Sequence, residues 1–228
     1  MNVTRYVGLL LPLQLATGCS GQSEAPANAT VDGARAPQPQ ADERLVLAFG
    51  DSLYAGYGVG QGESFPAVLE RELEARGVAA KVVNAGVSGD TTASGRARLA
   101  FALDGLARKP DLVLVGLGAN DVLRGLDPAG TRRNLDAILS QLKQRNIPIV
   151  LTGMMAPRSM DGAYVRAFDG IYPDLARKYD AALDPFFMEG VITDSRLLLN
   201  DGLHPNPAGI RKMAARVAPL AEQGLQEK

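Results

Sequence analysis

From Arg44 onward, short apolar runs alternate with longer stretches in which apolar residues recur at helical spacing. The runs predict strands at 45–49, 81–84, 111–116, 149–153 and, with its neighbours, 182–183. Between them, Ser64 is placed to cap a helix carrying Phe65, Val68, Leu69 and Leu73 on one face. A second helix is expected over 93–106. Asp127-Pro128 opens a third, with Leu135, Ile138, Leu139 and Leu142 on one stripe. A single helix over 164–179 and a last one starting at Asn206-Pro207 complete the pattern. Strand and helix in alternation argue for βαβ units and a parallel sheet. Crossovers in such units are nearly always right-handed, so every strand points the same way and the carboxyl ends share one edge. Ligands bind at that edge in open α/β sheets.

Four polar, glycine-containing segments fall on this edge. The first strand runs into "GDS", which holds Ser52; the second into "GVSGD", with Gly89; the third into "GLGAND", with Asn120. Before the last helix comes "DGLHPN", with Asp201 and His204, the only histidine of the chain. A serine hydroxyl becomes a useful nucleophile only when a base takes its proton, and imidazole suits that work. The base in turn needs a partner on its other nitrogen. Asp201 lies three residues before His204, Gly202 allows a tight turn between them, and Pro205 and Pro207 keep His204 in a loop. Taken singly, Ser52 reads as a cap, His204 as a helix-entry residue and Asp201 as the start of an Asx turn. Taken together on one edge they follow triad logic: Ser52 nucleophile, His204 base, Asp201 orienter. Acyl transfer also needs donors for the oxyanion. The Asn120 carboxamide and the backbone N–H groups of Gly89 and Ser52 are the candidates.

At this point the segments "FGDSLYAGYG", "NAGVSGDTTASG", "GLGANDVLRGLDP" and "DGLHPN" resemble the four blocks of the SGNH hydrolases, also called the GDSL family. The resemblance is to the arylesterase, thioesterase I and lysophospholipase L1 group in particular. It extends from about Leu45 to Leu220, taking in "MMAP", "YPDLARKYD" and "PFFMEGV". It implies an α/β fold, a three-layer α/β/α sandwich with a flavodoxin-like parallel sheet of about five strands. It also implies the nucleophile at Ser52, oxyanion donors at Gly89 and Asn120, and the acid and base at Asp201 and His204. Carboxylic esters or thioesters are then the expected substrates; carbohydrate O-deacetylation and a non-catalytic envelope role are the alternatives. Tyr54 stands where relatives usually carry a small residue, and is expected to reshape the acyl entrance. Met154, Met155, Met160, Phe186, Phe187 and Met188 are candidates for an acyl pocket or for plain core.

The N-terminus reads differently. Arg5, the apolar "YVGLLLPLQLA" and a small-residue stretch ending at Cys19 have the layout of an export signal. The apolar run is too short to span a bilayer, and "LATGCS" resembles a bacterial lipobox, with Ser20 suiting outer-membrane sorting. The expected organisation is a lipoprotein-type signal over 1–18, a lipidated Cys19 with a disordered linker through 42, and a hydrolase domain over 43–228. That places the chain on the periplasmic side of an outer membrane, or free in the periplasm if Cys19 is incidental. Net charge is −1, so nothing marks a nucleic-acid partner. With one histidine and one cysteine, no metal-ligand pattern stands out, no cofactor is expected, and the chain is expected to act as a monomer.

Overall fold

The structure is a computed structural model that describes residues 43–226. The export signal, Cys19 and the linker expected through residue 42 lie outside the described residues. Five strands form one sheet: β1 Arg44–Gly50, β2 Ala80–Gly86, β3 Leu112–Gly116, β4 Ile149–Thr152 and β5 Ala182–Asp184. All neighbours are parallel, in the order β2-β1-β3-β4-β5. Among the described residues the α-helices are α1 Ser52–Ala55, α2 Phe65–Ala75, α3 Thr92–Asp104, α4 Ala119–Leu123, α5 Pro128–Gln144, α6 Gly162–Asp169, α7 Ile171–Tyr179 and α8 Pro207–Gln226.

The alternation of side chains along each strand builds two cores. Val46, Ala48, Leu112, Leu114 and Val150 face α2 and α8, packing against Leu69, Leu73, Met213 and Val217. Their neighbours Leu47, Phe49, Val113, Val115 and Leu151 face the other way, against Leu99, Leu135, Ile138, Leu139 and Leu175 of α3, α5 and α7. Both faces of the sheet are covered, which is why the central strands read as continuous apolar runs. Most helix starts follow the expected chemistry. The Asp127 side chain accepts the Ala129 N–H at 3.0 Å, and Asn206 Oδ1 accepts from Ala208 and Gly209 at 2.9 and 3.1 Å. Ser64 occupies the N-cap position of α2, but its side chain makes no capping bond.

The helix expected over 164–179 is two helices, meeting at Gly170. Pro173 accounts for the break: its ring would collide with the carbonyl of residue 169 in a continuous helix, and it has no N–H to donate there. The short helices α1 and α4 were not expected; each is too brief to show a hydrophobic period.

Candidate active site

The chain leaves β1 for β2 on one side and then crosses to β3 on the other, so the loops after β1 and β3 diverge and open a crevice. Ser52 and Asn120 begin there. Gly50, Gly86 and Gly116 stand in register across the three adjacent strands at this edge. A Cβ on Gly86 would collide with the backbone of α1, and a Cβ on Gly50 or Gly116 with the ring of Tyr54. The row of glycines therefore lets α1 lie directly on the sheet edge. Asp51 caps that helix, accepting the Leu53 N–H at 3.0 Å, and Ser52 is its first residue.

His204 Nε2 lies 3.0 Å from Ser52 Oγ, and His204 Nδ1 lies 2.7 Å from Asp201 Oδ2. The other oxygen of Asp201 accepts the N–H groups of His204 and Leu203 at 3.0 and 2.9 Å. Those two backbone donors, followed by the imidazole, lower the Asp201 pKa to about 2. Gly202 takes φ 67°, the left-handed turn that brings Asp201 back onto its own loop. Leu199 N–H donates to the His204 carbonyl at 2.8 Å, and Leu198 bridges Pro205, so the imidazole sits on a closed loop rather than a free one.

Gly89 and Asn120 reach the same cavity as Ser52 and His204. Asn120 donates one amide hydrogen to the Asp90 carbonyl at 2.9 Å, which fixes the carboxamide and leaves its second hydrogen available. Gly89 takes φ 86°, and Arg124 holds its carbonyl at 2.8 Å. Among the described residues the backbone N–H groups of Ser52 and Gly89 have no hydrogen-bond partner. Charged groups behind them stiffen this wall. Arg98 binds Asp90 at 2.6 Å and the Gly50 carbonyl at 2.9 Å, while Asp121 accepts from Thr92 and Thr131. All five expected site residues thus meet at one place.

The cavity measures about 350 Å³, and Leu53, Val122, Met154, Met155, Phe186 and Met188 form much of its wall. Among the described residues, no Asp, Glu, Lys or Arg lines it. Arg216 braces the segment bearing Phe186 and Met188: it binds both Asp184 oxygens and the carbonyls of Phe186, Phe187 and Glu189. Two of the expected pocket residues are elsewhere. Phe187 is buried against Tyr54 and Phe65, at ring-centroid distances of 5.4 and 4.8 Å. Met160 packs on the α3/α5/α7 side. Tyr54 does not shape the acyl entrance; it is fully buried beneath α1, its hydroxyl 2.9 Å from that of Thr152. Sequence reasoning missed Tyr57, Leu123, Ile192 and Leu203, which also line the cavity. The glycines flanking Tyr57 were the available signal.

Comparison with known proteins gives a consistent result. The profile of the GDSL-like Lipase/Acylhydrolase family matches residues 48–212. The arylesterase of Vibrio mimicus is 42% identical over 168 residues, covering 74% of this chain and 82% of that protein. Thioesterase 1/protease 1/lysophospholipase L1 of Escherichia coli (strain K12) is 41% identical over 184 residues, 79% of this chain and 85% of that protein. The crystal structure of AlinE4, an SGNH-hydrolase family esterase, superposes with a TM-score of 0.69 at 49% identity, covering 81% of this chain and 97% of that one.

Proposed function

The chain belongs to the GDSL-like lipase/acylhydrolase family, and we propose that it is a serine esterase cleaving carboxylic esters or thioesters through an acyl-enzyme. The observation that carries this reading is the continuous contact from Ser52 Oγ through His204 to Asp201. Ser52 attacks the acyl carbon while its proton passes to His204 Nε2; Asp201 holds the imidazolium in place. The oxyanion is received by N–H groups of Ser52, Gly89 and Asn120. His204 returns the proton to the departing alcohol or thiol, and water repeats the sequence to release the acid. The cavity supports a neutral, apolar acyl group, since its wall offers no charge to bind a polar one. Every group comes from one chain, so the reading needs no second copy.

An activity-based fluorophosphonate probe tests it. Wild type is expected to be labelled and Ser52→Ala not; equal labelling of both removes Ser52 from the mechanism. A panel of p-nitrophenyl esters and acyl thioesters of increasing chain length then defines the substrate.

The site of action belongs to the same proposal. The charged start, the apolar run and "LATGCS" support export and lipidation at Cys19, with the enzyme tethered on the periplasmic face of the outer membrane. Cys19→Ser is expected to move the protein into the soluble fraction; unchanged membrane association refutes the anchor.

A further inference from the structure

The ring of Tyr57 stacks on the imidazole of His204, with centroids 4.3 Å apart and planes tilted by 33°. Two left-handed glycines put it there: Gly56 at φ 85° closes α1, and Gly58 follows at φ 72°. Tyr57 N–H donates to the Ser52 carbonyl at 3.3 Å, so a single turn carries both the serine and the ring. Tyr57 is 52% exposed, and among the described residues its hydroxyl has no hydrogen-bond partner. Neither core burial nor a polar contact accounts for an aromatic side chain at this place. Besides the cavity it lines, its ring contact is with the face of His204.

We propose that Tyr57 is a positioning residue for the base, its ring closing one face of His204 and stabilising the imidazolium that forms when Ser52 gives up its proton. The inference rests on the esterase reading above. Asp201 and Ser52 hold the two ring nitrogens within the imidazole plane, and neither resists tilting out of it. The stacked ring does. An aromatic face also attracts a cation within about 6 Å of its centroid. The imidazole is neutral before attack and cationic after it, so this attraction grows towards the transition state and appears in kcat rather than KM. The ring supplies the effect, not the hydroxyl, so phenylalanine should serve as well as tyrosine.

The test compares the purified wild type with Tyr57→Phe and Tyr57→Leu, leucine keeping apolar bulk without an aromatic face. Hydrolysis of a short-chain p-nitrophenyl ester gives kcat and KM. Because His204 is the only histidine in the chain, its ring protons give one assignable set of NMR signals. Tyr57→Leu is expected to lower kcat between about twofold and thirtyfold, with KM nearly constant. Its His204 ring signals should lose the upfield ring-current displacement, and Tyr57→Phe should match wild type in both respects. A Tyr57→Leu protein with unchanged kcat, or with only KM altered, overturns the proposal and leaves Tyr57 as a pocket wall. So does Tyr57→Phe falling as far as Tyr57→Leu. A wild type that hydrolyses no ester or thioester is a separate result: it sinks the esterase reading, and this inference with it, whatever the NMR signals show.

Discussion

The ring of Tyr54 fills the space that a side chain on Gly116 would occupy, and the tyrosine hydroxyl reaches Thr152 on β4 at 2.9 Å. A buried tyrosine on the helix that begins with Ser52 is thus matched to a glycine on the neighbouring strand. Gly116→Ala is expected to overpack this contact at a cost on the order of 1–3 kcal/mol, lowering the melting temperature by about 3–10 °C. Turnover should fall with it, because Tyr54 can yield only by lifting the helix that holds Ser52. A melting temperature equal to wild type would show that the ring has room to move.

Asn120 has one amide hydrogen tied to Asp90 and the other available to the cavity. Asn120→Ala is expected to reduce kcat by about 10²–10³ while leaving KM for a short ester little changed, since the donor is needed most when the oxyanion forms. Steady-state kinetics on p-nitrophenyl butyrate decide it. A loss confined to KM would place Asn120 in substrate binding alone.

Asp201 is held at about 2, first by the backbone N–H groups of His204 and Leu203 and then by the imidazole. A carboxylate depressed in this way favours the folded state above its ordinary range, and that contribution is lost as pH falls towards 2. Throughout the working range it stays ionised. The acid limb of log(kcat/KM) against pH should therefore carry no contribution from Asp201, and its slope should not exceed one. A slope near two would mean that Asp201 takes up a proton within the working range. Asp201→Asn should lower kcat by about 10²–10⁴.

How much of this was readable beforehand differs between the chemistry and its walls. Ser52, Asp201 and His204 could be picked out because proton transfer demands those residue types and few others. A parallel sheet then fixes the edge where they meet. The acyl pocket was less legible: Phe186 and Phe187 are identical letters, yet one lines the cavity and the other is core. Only the path of the turn after β5, held by Arg216, decides which is which. Tyr54 misled for a related reason. A large residue after the nucleophile suggests a blocked entrance, unless one sees that three glycines in register have cleared a space beneath it. The break at Gly170 was in principle visible, since Pro173 forbids a continuous helix there.

Asp51 gives the last prediction. It is fully buried beside the serine, and burial, opposed by the Leu53 N–H and reinforced by the Asp121 and Asp90 carboxylates, pushes its pKa up to about 7. Here the sign is opposite to that of Asp201. The folded chain holds this proton more tightly than the unfolded chain, whose aspartate titrates near 3.8. Its contribution to stability is therefore complete below that value and is lost as pH rises through about 7. Asp51→Asn keeps a side chain able to cap α1 but cannot ionise. Between pH 5 and pH 8 the wild type should lose more stability than Asp51→Asn, the difference being on the order of 2 kcal/mol. Urea unfolding at the two pH values measures it, and groups common to both proteins cancel in the comparison. Equal losses would mean that the carboxylate ionises at no cost to the fold, solvated by water or by a shift of the residues around it.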